Sequence, residues 1–324
     1  MNDLSLAELG EIESLRRTVK RLKPGTLALV GSGDDAAVVS ATDSFLVSTD
    51  TLVENHDFKL EWSTGFQLGY KSVASNLADI AAMGATPTVL VVAMVVPAST
   101  KISWLEDFAD GLQAACDQLA PGSAVVGGDL ASGEQMVIAV TVHGSLGELK
   151  PVVRSGAKAG DVVAVCGSLG KAACGLALLQ SGNDDLIRSY DDWVSAQLAP
   201  RPPIDQGVVA NQAGATAMLD VSDGLATDLA RICKASNVAI EIVSKELTGF
   251  EAMLELPAQS LGVDPKQWVL SGGEDHALVA TFPASATIPK SFKVIGKVLA
   301  EGEPSLLLDG KALESSGWDS IRGS

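Results

Sequence analysis

The chain has 324 residues, room for about two domains of ordinary size, which excludes a peptide hormone, a lone zinc-stapled module or a disulfide knot. With 47% hydrophobic residues, 32 glycines and only 4% aromatics, its composition is that of a folded α/β (α+β) protein rather than a disordered one. Its 23 basic residues face 40 acidic ones, a net charge of −17 with no basic run, and this excludes nucleic acid as the expected partner.

The amino terminus opens on Asp3, Glu8, Glu11 and Glu13, the wrong charge for a secretory leader. The most apolar run, Val89 to Val96, is far shorter than the ~20 residues that span a bilayer. A cytoplasmic location without membrane contact is expected. A first helix is predicted from Ser5 to Leu22, closed by Pro24-Gly25, and Phe45 to Val47 reads as a strand leading to Asp50. Phe66, Tyr70, Val73, Leu77 and Ile80 step by four and three, the period of a helix face, until Gly84 ends it. The β-branched run Thr88 to Val96 predicts a buried strand stopped by Pro97. Ser103 and Glu106 have the spacing of a capping box, opening a helix with Leu105, Phe108, Leu112, Ala115 and Leu119 on its buried face. Ala124 to Val126 reads as a strand ending in Gly127-Gly128-Asp129, and Met136 to His143 as another. A first domain over 1–148 is expected to close there.

From Ser145 to Gly160 the chain is rich in Gly and Lys, which marks a boundary, and the α/β rhythm restarts in a second domain over 149–324. Strands are predicted at Val162–Cys166, Ala217–Leu219, Ala239–Val243, Ala277–Phe282 and Phe292–Val298. Helices are predicted at Lys171–Gln180, from Ile204, and at Leu225–Ala235. The Gly167-to-Gly170 loop precedes a helix and could receive phosphate, although it is neither a Walker A nor a dinucleotide-binding fingerprint. Cys116, Cys166, Cys174 and Cys233 lack metal-like spacing and read as reduced core residues.

Six aspartates fall at element ends: Asp35, Asp50, Asp79, Asp129, Asp220 and Asp223. Their neighbours are glycines and hydroxyls, and oxygen donors of this kind suit a hard divalent ion such as Mg²⁺. Asp79 follows Ser72 and Asn76 along one edge of the strong helix; it either caps that helix or presents a carboxylate to a ligand. Asp220-Val221-Ser222-Asp223-Gly224 joins a strand to a helix, where Ser222 or Asp223 is placed to cap amides or to sit beside a phosphate. Carboxylates near phosphate repel it unless metal ions lie between them.

Seven segments in order resemble the thiamine-monophosphate kinase family of the aminoimidazole ribonucleotide synthetase-like superfamily. They are Gly33-Asp34-Asp35-Ala36, Ser48-Thr49-Asp50-Thr51-Leu52-Val53, Asn76 to Ala85, Gly127-Gly128-Asp129, Arg154-Ser155-Gly156-Ala157, Asp220 to Leu225, and Ser271-Gly272-Gly273-Glu274-Asp275. The resemblance implies phosphoryl transfer from ATP to thiamine monophosphate without a phosphoenzyme. It further implies a homodimer whose amino-terminal sheets pair into a barrel, beside a carboxyl-terminal α/β domain. Asp35, Ser48, Thr49, Asp50, Asp79, Asp129, Asp220 and Asp223 would be the Mg²⁺ ligands. Gly128, Asp129, Arg154 and Ser222 would contact ATP, and Glu274 and Trp318 the thiamine end. No general base is implied. Two positions depart from the family pattern: Asp57 stands where a substrate-binding histidine is usual, and His276-Ala277 follows Asp275 where Tyr-Glu is usual. Neither is expected to touch a metal ligand. A related ATP-dependent enzyme of the superfamily, or a non-catalytic nucleotide- or metal-binding relative, are the alternative readings.

Overall fold

A computed structural model of the protein describes residues 4–23, 25–30, 38–40, 45–301 and 303–313. The chain divides into two compact units, one of residues 1–80 and 86–147, the other of residues 81–85 and 148–324.

The first unit runs α1 (Leu6–Leu9), α2 (Glu11–Val19), β1 (Ala28–Val30), β2 (Val38–Val39), β3 (Leu46–Val53), α3 (Gly65–Ala82), β4 (Thr86–Val96), α4 (Ile102–Leu119), β5 (Ala124–Ser132) and β6 (Val137–Ser145); the last two residues of α3 group with the second unit. The predicted first helix is two, broken at Gly10, whose φ of 81° lies outside helical space. The capping box forms at Ser5 and Glu8, where the Ser5 hydroxyl accepts from the Glu8 N–H at 3.3 Å and Glu8 accepts from the Ser5 N–H at 2.7 Å. Helix α4 starts after Lys101, so Ser103 lies inside it and is not its N-cap as expected, and Glu106 accepts from the Arg17 guanidinium at 2.5 Å.

Strands β3, β6, β4 and β5 form a sheet in that order, antiparallel except for the parallel β4–β5 pair. Along β6, Ile138, Val140, Val142 and Gly144 are buried in strict alternation. A Cβ on Gly144 would meet Ile80 at 2.4 Å, so that face of the sheet lies against α3. Strand β5 continues through Gly127-Gly128-Asp129 to Ser132, past the predicted strand end, with an irregularity in its pairing just before Gly127. Gly128 is opposite Val92, and a Cβ there would stand 2.1 Å from the Val92 carbonyl oxygen, a close approach that only glycine allows.

The second unit contains β7 (Val162–Cys166), α5 (Lys171–Ser181), α6 (Asp184–Ser189), α7 (Asp191–Leu198), α8 (Asp205–Gln212), β8 (Ala217–Val221), α9 (Leu225–Ser236), β9 (Val238–Ile242), α10 (Ser244–Ala252), α11 (Glu255–Leu261), α12 (Pro265–Ser271), β10 (Ala277–Phe282), β11 (Lys293–Glu301), β12 (Ser305–Leu308) and β13 (Lys311–Ala312). Its seven-stranded sheet has the order β13-β12-β9-β11-β7-β10-β8, with β9–β12 the parallel pair. Every residue of β8 and β10 is buried, which explains their unbroken rather than alternating apolar runs. All four cysteines are buried thiols, and burial pushes them up, Cys116, Cys166 and Cys233 to about 11 and Cys174 to about 12. Among the described residues no helix is long and apolar enough to cross a membrane.

Candidate active site

In the first unit the pleat of β3 decides which side chains meet. Ser48 lies opposite Val142 and Asp50 opposite Val140, both on the face of β6 that touches α3, because residues directly across an antiparallel pair share a face. The Ser48 hydroxyl accordingly donates to Asp79 Oδ2 on α3 at 2.6 Å. Asp79 is half-buried and Asp50 exposed. Thr49, between them, points the other way: its hydroxyl donates to the Val140 carbonyl at 2.9 Å and accepts from Thr141 at 3.1 Å. The structure therefore brings Ser48 and Asp79 together, with Asp50 on their side of the sheet, and turns the Thr49 hydroxyl away. Asp129, opposite Ala93 on β5, is exposed. In α3, Asn76 is fully buried, and its Nδ2 donates to the Ser72 carbonyl at 2.8 Å.

Asp57 closes its own turn after β3. Its Oδ2 accepts from the Val53 N–H at 2.8 Å, and Oδ1 lies 2.9 Å from His56 Nδ1.

In the second unit two of the motif segments are laced together. The Glu274 N–H donates to the Ser222 carbonyl at 2.8 Å and the His276 N–H to the Val221 carbonyl at 3.0 Å. A Cβ on Gly273 would fall 2.5 Å from the Ser222 carbonyl oxygen. Asp220, buried at the end of β8, has Oδ2 3.0 Å from Nδ1 of the buried His276. This corrects one expectation: the departure at His276 does touch a residue in the metal-ligand set. The capping expected of Ser222 or Asp223 is also corrected. Helix α9 begins after Gly224 without a side-chain cap, and Asp223 instead pairs with Arg231 at 2.5 Å.

Sequence reasoning missed the residue that organises this loop. Asp228, fully buried in the first turn of α9, accepts from the Asp223 N–H at 3.0 Å and from Arg231 at 2.5 Å. Burial pushes its carboxyl up to about 7, against the pull of the Asp223 N–H and the Arg231 charge. The i, i+3 spacing of Asp228 and Arg231 was the available signal.

The Gly167-to-Gly170 loop receives an internal anion. Asp275 accepts from the N–H groups of Gly170, Lys171 and Ala172 at 2.6, 3.1 and 3.3 Å and from the Ser168 hydroxyl at 2.9 Å. The amino terminus of α5 is thus filled by the chain's own carboxylate. Burial nonetheless pushes Asp275 up to about 6, the four donors pulling the other way. Beside it, Glu274 has a φ of 65° and accepts from Gln197 Nε2 at 2.5 Å. Arg154 is exposed in a single 3₁₀ turn whose carbonyl accepts from the Ser236 hydroxyl at 2.7 Å. Asp35 and Trp318 lie outside the described residues.

Each of these groups offers oxygen to a cation, apart from the Arg154 guanidinium, which suits phosphate oxygens. Among the described residues, no three Asp, Glu, His or Cys side chains gather closely enough to hold a metal ion by themselves.

Comparison with known proteins gives this geometry its setting. Residues 33–146 match the family model for the AIR synthase related protein, N-terminal domain, and residues 158–309 that for the C-terminal domain. A thiamine-monophosphate kinase of Mycobacterium tuberculosis is 43% identical over 98% of this chain and 93% of its own. One from Corynebacterium glutamicum is 37% identical over 98% and 95%. A solved structure described as AaThiL complexed with AMPPCP and TMP superposes with a TM-score of 0.78 at 31% identity, covering 98% of this chain and 99% of that one. Spanning both AIR synthase related domains and matching these relatives almost from end to end, the chain belongs to the thiamine-monophosphate kinase family.

Proposed function

We infer that the protein transfers the γ-phosphoryl group of ATP to the phosphate of thiamine monophosphate, giving thiamine diphosphate and ADP. The observation that carries this is the 43% identity to a thiamine-monophosphate kinase over 98% of the chain. A phosphate oxygen of thiamine monophosphate attacks the γ-phosphorus, the new O–P bond forms, and the bond from that phosphorus to the bridging oxygen breaks as ADP leaves. The attacking phosphate is already ionised near neutral pH, so no side chain need remove a proton, and positioning supplies the catalysis.

The oxygen-only donor set of Ser48, Asp50 and Asp79, with Asp129, Asp220 and Asp223, fits Mg²⁺. Asp35 completes the set, and Thr49 contributes through its main-chain carbonyl, since its hydroxyl is committed to the other face of the sheet. Among the described residues too few carboxylates gather in one place to hold an ion alone, so these residues would hold Mg²⁺ together with oxygens of the bound phosphates. Mg²⁺ held there would offset the net charge of −17 and supply electrostatic stabilisation of the transferring group. Arg154 clamps phosphate oxygens in bidentate fashion. Gly128, Asp129 and Ser222 hold the nucleotide, while Glu274 and Trp318 receive the cationic thiazolium. Asp57, locked into its turn, shapes the substrate loop in place of the histidine. We further propose a homodimer that pairs the amino-terminal sheets: on the face away from α3, Val47 is 55% exposed and Thr49 and Thr51 are exposed. ATP chemistry and four buried thiols suit the reducing cytoplasm.

The test is direct. Purified protein with ATP, Mg²⁺ and thiamine monophosphate should yield thiamine diphosphate on chromatography. Absence of that product, with turnover of another superfamily substrate, would replace this reading with the related ATP-dependent enzyme.

A further inference from the structure

Gln197 sits in the last turn of α7, 5% exposed, with no place in the machinery described so far. Its stem is held where α7 crosses α5: a Cβ on Gly175 would stand 3.0 Å from its Cβ. Its two amide atoms have opposite fates. Nε2 donates to Glu274 Oε2 at 2.5 Å, whereas Oε1 is buried and has no hydrogen-bond partner among the described residues. An unsatisfied buried acceptor is a standing cost, and methionine or leucine would fill the same seam without it. What glutamine gives in return is the single N–H aimed at a carboxylate. Turning the amide over would set Oε1 against Oε2, so the carboxylate itself fixes the orientation.

Glu274 needs such a hold. Its backbone is kept at a φ of 65°, which non-glycine residues seldom adopt, by the N–H bond to Ser222. That bond fixes where the side chain starts, and the Gln197 bond holds the carboxylate at its far end. We propose that Gln197 is a positioning residue for thiamine monophosphate, holding the Glu274 carboxylate in the one orientation that receives the cationic ring. This rests on the assignment of Glu274 to the thiamine end made above.

The experiment is a double-mutant cycle on the full-length enzyme. Gln197→Leu should raise KM for thiamine monophosphate by about tenfold, the scale of one hydrogen bond to a charged group. Its kcat, KM for ATP and Tm should stay at the wild-type values. Gln197→Met, with a more pliable side chain, provides the same measurement should leucine disturb folding. In a Glu274→Ala background the second substitution should add nothing, because Gln197 acts through Glu274 alone. A wild-type KM in Gln197→Leu and Gln197→Met, or an effect that multiplies with that of Glu274→Ala, overturns the proposal while leaving Glu274 in place. A wild-type KM in Glu274→Ala overturns both assignments.

Discussion

The carboxylates of the two units are kept in opposite ways. On the first unit's sheet Asp50 and Asp129 are exposed, and Asp79 takes the hydroxyl of Ser48 from the neighbouring strand. In the second unit four carboxylates in and beside the motif segments are engaged by the chain itself: Asp220 by His276, Asp223 and Asp228 by Arg231, Asp275 by three backbone amides and a hydroxyl. Acidic side chains turned to solvent on a rigid sheet are ready for external cations, whereas buried ones are stable only when the fold supplies their partners. Similar motifs of Asp, Ser and Gly thus do different work. On the proposed reading the first unit's acids hold the ions, while Asp223, Asp228 and Asp275 of the second unit build the loops beside the proposed ligands.

The largest expected effect breaks the first half of this contrast. Asp79→Asn keeps the Ser48 hydrogen bond and the volume of the side chain but removes the charge. Turnover at saturating Mg²⁺ should fall by at least about 10²-fold, the scale of one placed electrostatic group, with the circular dichroism spectrum and Tm retained. Near-normal kinetics would show that Asp79 is as structural as Asp275.

Asp275→Asn addresses the other half, and its readout is stability. An amide cannot accept on both sides, so at least one of the four donors loses its partner, a cost of about 1–3 kcal/mol in urea unfolding. The pH dependence carries a sign. Burial raises the folded carboxyl to about 6, above its ordinary 3.8. From roughly pH 4 to 6 the folded protein therefore keeps a proton that the unfolded chain releases. The stability linked to this group is full below that window and declines as pH rises through it. Asp275→Asn removes that decline, so the stability difference between wild type and variant should shrink across the window and level off above it. Parallel pH profiles would refute the assignment.

How much of this was legible follows the same division. Helix α3 was readable because Tyr70, Val73, Leu77 and Ile80 repeat at the helical period and are all buried. The strand after Phe45 was legible too, but β3 runs on to Val53, so Ser48-Thr49-Asp50 lies within it and not at its end, and strand alternation turns Thr49 away from its neighbours. The interlocks of the second unit were not. The Gln197–Glu274 bond and the contact of His276 with Asp220 depend on elements that meet only after folding, and nothing in the spacing of Gln197 and Glu274 marks them as neighbours, whereas Asp228 carried only its local spacing to Arg231. The short helices α6, α7, α10, α11 and α12 also escaped, because in so few turns side-chain contacts outweigh any periodic signal. Strand β5 was ended too early, at Gly127-Gly128-Asp129, because glycine signals turns more often than close backbone approach.

The smallest expected effect sharpens the comparison most. If the acids of the first unit act through the face of β3 that meets α3, then the hydroxyl of Thr49, on the opposite face and spent on the Val140 carbonyl, contributes almost nothing to ion binding. Thr49→Val preserves shape, β-branching and the main-chain carbonyl, and its effect should stay within about 0.5 kcal/mol, as for ordinary surface changes. In a Mg²⁺ titration of kcat/KM the midpoint should accordingly move by no more than about twofold, since 1.4 kcal/mol is a factor of ten. Ser48→Ala, only one residue away but on the ligand face, should move it further. Equal shifts in the two variants would mean that the pleat of β3 does not sort its oxygens between the ions and the sheet.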